Sequence, residues 1–256
     1  MELNRDYESA AIYKWRKKRK KAFVLFIYIV GICFLVTRMV RVEDKTTVKV
    51  HNMHTEQNEK AIRYVASNMI KEDPKIAITF DDGPSPAWTP QLLDGLKERN
   101  VKATFFLIGE NAKNNPELVK REAEEGHLIG NHTYHHVEIT RVPDETAQEE
   151  ILMTNEVITG ITGEEVSYMR PPFGVWQKNL ERKLDVMPVL WTIDPLDWTT
   201  DNEDEIINKV VTQAGENDII LLHDCYESSV NAALRIVDIL QKEGFEFVTV
   251  DELIMN

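Results

Sequence analysis

From Pro74 onward, short β-branched and apolar runs alternate with longer segments of helical periodicity, and few architectures accept that order. Strands are expected at 76–80, 103–108, 128–130, 167–170, 186–190, 219–222 and 247–250. Helices are expected between them at 90–99, 116–125, 144–159, 177–184, 203–214 and 230–243. Thr89 before Pro90, and Pro143-Asp144 before an acidic first turn, read as helix starts; Gly126 and Gly244 read as helix ends. Strands separated by helices run parallel, because each crossover returns the chain to the same end of the sheet. About seven strands predict an α/β fold, a distorted (β/α) barrel, with a doubly wound open sheet as the alternative. There is no glycine-rich phosphate loop and no internal repeat.

The 73 residues ahead of this pattern have a different character. Residues 14–21 read KWRKKRKK, and residues 22–37 follow without a charge. Sixteen apolar residues fall a little short of the ~20 that span a bilayer, but Lys21 and Arg38 can snorkel and Met39 and Val40 extend the run. The expected layout is a cytoplasmic basic segment at 1–21, a single transmembrane signal-anchor at 22–42, a polar stem at 43–73 and a main domain at 74–256. The basic block keeps its own side in the cytoplasm and puts the domain outside the cell membrane. A cleaved signal peptide is the competing reading, although Thr37-Arg38-Met39-Val40-Arg41 is no small-residue cleavage site. The stem holds a candidate helix at 59–70, and His51 and His54 there read as solvated. Charge follows the same division. The first 41 residues carry ten Lys and Arg against three Asp and Glu, whereas the rest carries twenty against forty. An acidic main domain argues against nucleic acid as its partner. Only Cys33 and Cys225 are present, so no disulfide framework or cysteine zinc site is available.

Chemistry gathers at the carboxyl ends of the expected strands. Asp81-Asp82 follow the first, Asn131-His132 the third, and Arg170 ends the fourth; Asp194 and Asp197-Trp198 follow the fifth and His223-Asp224 the sixth. Asp-Asp-Gly-Pro alone would be a solvated turn, and H-x-x-x-H alone a surface or core pair. Together they point to a metal. If residues 132–136 turn helically, His132 and His136 share a face, and Asp82 supplies a third ligand; His135 should point away. Two imidazoles and one carboxylate leave open positions, as a catalytic zinc requires. Hydrolysis also needs a base and an acid. Asp81 suits the base, oriented by Arg170, and His223 suits the acid, supported by Asp197 or Asp194. Trp198 and Leu221 can form a small apolar wall.

Five ordered segments carry a family resemblance. Thr79-Phe80-Asp81-Asp82-Gly83, His132-Thr133-Tyr134-His135-His136, Arg170-Pro171-Pro172-Phe173-Gly174, Asp194-Pro195-Leu196-Asp197-Trp198 and Leu221-Leu222-His223 resemble the motifs of the polysaccharide deacetylases. That family is also called the NodB homology domain or carbohydrate esterase family 4. The resemblance spans about residues 75–253. It implies metal-dependent removal of N-acetyl groups from amino sugars of a glycan, such as peptidoglycan N-acetylglucosamine or chitin-like oligomers. By the resemblance, Asp81 is the base, Asp82, His132 and His136 hold the metal, Arg170 positions the base, and His223 is the acid, with Asp197 favoured over Asp194 as its support. Trp198 and Leu221 shape the acetyl pocket, and the backbone N–H of Phe173 faces the oxyanion. Phe173 departs from the tyrosine common in the family, which removes a side-chain hydroxyl from the sugar site. Imidazole and carboxylate ligands suit zinc, with cobalt, nickel or iron as alternatives. Two other functions fit less of the pattern: a small-amide or formamide hydrolase of the same fold, and a non-catalytic anchored metal- or glycan-binding domain.

Overall fold

The computed structural model describes residues 73–177, 180 and 184–255. Its elements, in order, are β1 (Lys75–Asp81), α1 (Thr89–Glu98), β2 (Thr104–Leu107), α2 (Gly109–Asn114), α3 (Pro116–Glu124), β3 (Leu128–Asn131), α4 (Asp144–Thr162), β4 (Tyr168–Met169), β5 (Met187–Pro188), α5 (Glu203–Val211), β6 (Ile219–His223), α6 (Glu227–Lys242), β7 (Glu246–Phe247) and α7 (Val250–Met255). The basic segment, the expected span, the stem to residue 72 with His51 and His54, Cys33, and most of the expected helix at 177–184 lie outside the described residues. Among the described residues, no helix is long and apolar enough to cross a membrane.

The seven strands form one parallel sheet in the order β5-β4-β3-β2-β1-β6, with β7 beside the start of β1. Central β1 is apolar and buried along almost its whole length, as a strand covered on both faces must be. The sheet curls into an irregular barrel. After β5 the chain stays with β4 through Val189 N–H to Met169 O (2.7 Å), then reaches β6 through the parallel bridge of Ile193 to Ile220. One stretch of five residues thus touches both β4 and β6.

Helices seal the sheet through one apolar face each. On α6, Val230, Ala233, Val237 and Leu240 recur at helical spacing and are fully buried against a core that includes Phe80, Phe105, Leu92 and Leu96. Burying a side chain such as Phe105 contributes about 1.5–3 kcal/mol relative to leaving it in water. Gly126, Gly163 and Gly244 close α3, α4 and α6 at positive φ, where glycine alone meets no Cβ penalty.

The structure departs from the sequence expectations in four places. Val250 starts α7 instead of ending the last strand, because Thr249 and Glu252 cap a new turn there: Thr249 N–H donates to Glu252 Oε2 at 3.1 Å. β4 and β5 hold two residues each, so Arg170 lies just past its strand. Helix α2 went unread because its six residues, GENAKN, carry almost no apolar periodicity. Thr89 is the first residue of α1 and does not cap it; its hydroxyl accepts from Ser85 N–H (2.7 Å) and donates to the Asp224 carboxylate.

Candidate active site

Parallel strands deliver their carboxyl ends to one side, and β1, β3 and β6 end there in Asp81, Asn131-His132 and His223. Asp81 is the last residue of β1, nearly buried, and its Oδ1 accepts from Arg170 Nη1 at 2.7 Å. Asp82 takes a left-handed conformation (φ 72°), and both carboxylates come near His132 Nε2, Asp82 Oδ1 at 3.4 Å and Asp81 Oδ2 at 3.8 Å. Arg170 is fully buried. Its Nη1 also meets Thr79 Oγ1 at 2.7 Å, and its guanidinium carbon lies 4.3 Å from the centre of the Phe106 ring and 5.6 Å from that of Trp191. A buried cation of this kind needs both its ion pair and its hydrogen bonds to offset desolvation.

His132 and His136 converge on Asp82, but not through a helix. Residues 132–136 form a loop in which Thr133 (φ 62°) and His136 (φ 56°) are left-handed, and those two reversals bring the imidazoles to one side. Nε2 of each lies 3.4 Å from Asp82 Oδ1, and one ligand atom from each of the three residues falls within 4.8 Å of the others. Nδ1 of His132 contacts Arg170 O at 2.6 Å. A carbonyl only accepts, so Nδ1 carries the proton and Nε2 offers its lone pair toward Asp82. Burial and neighbouring His132 hold His136 below the ordinary imidazole pKa, favouring its neutral, ligating form. Burial pushes the Asp82 carboxyl up, but His132, His223 and His136 outweigh it and set it below the ordinary value. Asp82 Oδ1 is buried without a hydrogen-bond partner. An orphaned carboxylate oxygen facing two imidazole lone pairs fits a divalent cation and little else.

His223 occupies the opposite wall. Asp197, at the head of a 3-10 turn (Asp197–Thr199), accepts the His223 backbone N–H through Oδ2 and the ring Nδ1–H through Oδ1, both at 2.8 Å. Burial works against the imidazolium, but the Asp197 bond and charge, with Asp81 and Asp82 behind them, push its pKa up to about 9. Asp194 is engaged elsewhere, accepting Leu196 N–H at 2.8 Å.

Between the walls lies a cavity of about 460 Å³ lined by Asp81, Asp82, His132, His136, Phe173, Trp198, Leu221 and His223 among others. Phe173 (φ 62°, 63% exposed) sets its ring edge-on to His136 at 5.0 Å, and Trp198 (56% exposed) stands at the rim. Arg170 and Asp197 support the lining from behind. All ten residues singled out from the sequence therefore lie in or directly against this cavity. His135 points away to Glu150. Sequence reasoning missed Trp191, Leu196 and Tyr226 in the lining; Tyr226 follows His223 by three residues and was the most findable. It also missed Asn111, whose amide donates to Asp82 O at 2.8 Å, and it gave Asp224 no role. Asp224 is fully buried and packs so closely on Gly83 that a Cβ there would lie 2.5 Å from its carboxylate. A larger hollow of about 900 Å³ opens at the other ends of β4 and β5, but among the described residues it is lined by no histidine or arginine.

A curled parallel α/β sheet with an Asp-His-His trio between a carboxylate and an imidazole is an arrangement fit for a hydrolase. Comparison with known proteins narrows the class. The polysaccharide deacetylase profile matches residues 68–189. A peptidoglycan-N-acetylglucosamine deacetylase of Bacillus cereus is 39% identical over 199 residues, covering 75% of this chain and 93% of that protein. The Listeria monocytogenes peptidoglycan-N-acetylglucosamine deacetylase PgdA is 37% identical over 216 residues, covering 82% of this chain but 46% of its own length, so the chain spans about half of that relative. The structure of peptidoglycan deacetylase PdaC from Bacillus subtilis superposes with a TM-score of 0.70 at 38% identity, over 71% of this chain and 90% of that one. The chain belongs to the polysaccharide deacetylase family.

Proposed function

We propose that this protein is a metal-dependent deacetylase that removes N-acetyl groups from amino sugars of a glycan, with N-acetylglucosamine units of peptidoglycan or chitin-like oligomers as its substrate class. The observation that carries the reading is the meeting of three groups on one cavity: the Asp82–His132–His136 trio, Asp81 with Arg170, and His223 with Asp197. The relatives' names support the substrate class. The exposed rings of Phe173 and Trp198 at the rim suit the faces of a sugar better than a closed small-amide pocket would.

Asp82, His132 and His136 would hold the cation, zinc or alternatively cobalt, nickel or iron. When bound there, such an ion lowers the pKa of water and polarises a carbonyl oxygen. Asp81 takes the proton of the attacking water, aimed by its hydrogen bond from Arg170. His223 enters the reaction protonated and gives its Nε2 proton to the departing amine. The backbone N–H of Phe173 donates to the developing oxyanion, and Trp198 and Leu221 enclose the acetyl methyl. The products are acetate and a free amino sugar. The basic block at 14–21 and the apolar run at 22–37 support a single-pass anchor at the cell membrane with the catalytic domain extracytoplasmic.

The test is acetate release by the purified full chain in detergent, stripped of metal and then given zinc, with chitin oligomers and peptidoglycan offered side by side. Zinc-dependent release, absent in Asp82→Ala, is expected. A folded, zinc-loaded chain that releases nothing from either glycan would overturn the reading in favour of the small-amide or non-catalytic alternatives.

A further inference from the structure

The loop between the two histidines raises the question of what holds it. It contains two left-handed non-glycine residues, a conformation that persists only where the surroundings enforce it. Thr133 N–H donates to Asn131 Oδ1 (2.7 Å), and Val137 N–H to Thr133 Oγ1 (3.1 Å). Tyr134 N–H and His135 N–H both donate to one oxygen of Glu150, at 3.0 and 2.8 Å. The other Glu150 oxygen meets His135 Nδ1 at 2.7 Å. Three donors, all from the two residues midway between the ligands, thus end on one carboxylate.

The position of that carboxylate makes the arrangement specific. Glu150 is buried on α4, on the same face as Ala147, Ile151, Thr154 and Ile158, where helical periodicity calls for an apolar residue. A leucine there would suit the helix and leave two amides of the histidine loop without acceptors. We propose that Glu150 is a positioning residue of the metal centre: its carboxylate fixes the backbone at 134–135 and so sets the bearing of His132 and His136 toward Asp82. This rests on the assignment of those three residues as ligands. Glu150 touches neither the cation nor the substrate and acts only through the loop.

The test uses the full chain, with zinc affinity measured by competition with a chromophoric chelator and ligand geometry read from the visible absorption of bound cobalt(II). Glu150→Leu is expected to weaken zinc about ten- to a hundredfold and to shift the cobalt bands. Glu150→Gln should restore affinity to within about threefold: its oxygen can take both amides, and its NH2 can donate to His135 once that ring changes tautomer. Circular dichroism of the metal-free variants separates this from loss of fold. If Glu150→Leu fails to fold, Glu150→Asp decides, since its shortened side chain withdraws the acceptor while keeping the charge; it should weaken zinc and move the cobalt bands. A folded Glu150→Leu or Glu150→Asp with wild-type zinc affinity and cobalt spectrum would overturn the proposal. Equal zinc binding by wild type and Asp82→Ala would instead overturn the ligand assignment, and the proposal with it.

Discussion

His223 and Arg170 are both cations in nearly dry surroundings, and each keeps its charge by a different device. Arg170 spends its donors on Asp81, Thr79 and the carbonyls of Val189 and Leu190. His223 depends chiefly on Asp197, whose two oxygens hold the ring and the backbone of the same residue, with Asp81 and Asp82 adding to its charge. That dependence sets a pH limit. With its pKa near 9, His223 stays protonated through neutrality and loses its proton only in alkali. Asp197→Asn keeps the shape and removes the charge, so the alkaline limb of kcat/KM should slide from about 9 toward the ordinary imidazole value of 6.5. Activity at pH 8.5 should fall at least about tenfold while the acid limb stays in place. A pH–rate profile checks this; an unmoved alkaline limb would show that His223 is not the proton donor.

Helix α2 is the least conspicuous element and one of the most connected. Ile108 N–H reaches Gly83 O and Asn111 reaches Asp82 O on one side; Gly109 and Glu110 N–H reach Thr133 O and Tyr134 O on the other. The carboxylate loop and the histidine loop are thereby tied through a single turn. Next to it, α3 carries an oddity. Glu122 is fully buried and neither of its oxygens has a partner. Burial first, and the charge of Asp224 second, raise its pKa well above the ordinary value of 4.5. A carboxyl that is harder to ionise folded than unfolded costs stability as pH rises from that ordinary value toward the folded one. Glu122→Leu should therefore gain about 1–3 kcal/mol at neutral pH and abolish that part of the pH dependence, measured as denaturation midpoints at pH 4 and pH 7.5. Elements were legible in the sequence where periodicity and punctuation agreed, as for β1, α4 and α6. Helix α2 was not, because its six residues, only Ala112 of them apolar, have no periodicity to read. The strand ends announced which residues would meet, yet the left-handed turns at Thr133 and His136 did not show, since backbone sign leaves no trace in the identity of a threonine or a histidine. Glu150 and Glu122 were equally silent: a glutamate in a helical run reads as solvated until the fold shows its face.

At the scale of the whole molecule, curvature of one sheet brings the Asp82–His132–His136 trio, from the ends of β1 and β3, opposite an imidazole from β6. On the proposed function, cation binding and folding are linked, because only the folded chain assembles the trio. Zinc at a hundred times its dissociation constant should add about 2.7 kcal/mol to unfolding, or about 5–10 °C in Tm for a domain of this size. Asp82→Ala should lose that increment and His223→Ala should retain it; thermal melts with and without zinc make the comparison. Asp82 belongs to the trio and His223 to the opposite wall. The Arg170 side chain steadies Asp81 and its carbonyl meets His132, whereas the Asp197–His223 pair shares no hydrogen bond with either. Heredity can therefore act on the two walls separately. A descendant altered only at 223 would stop turning over and still grip its ion and its sugar, a ready-made receptor. One altered at 170 would lose the side chain that aims Asp81, while its main-chain carbonyl would still meet His132.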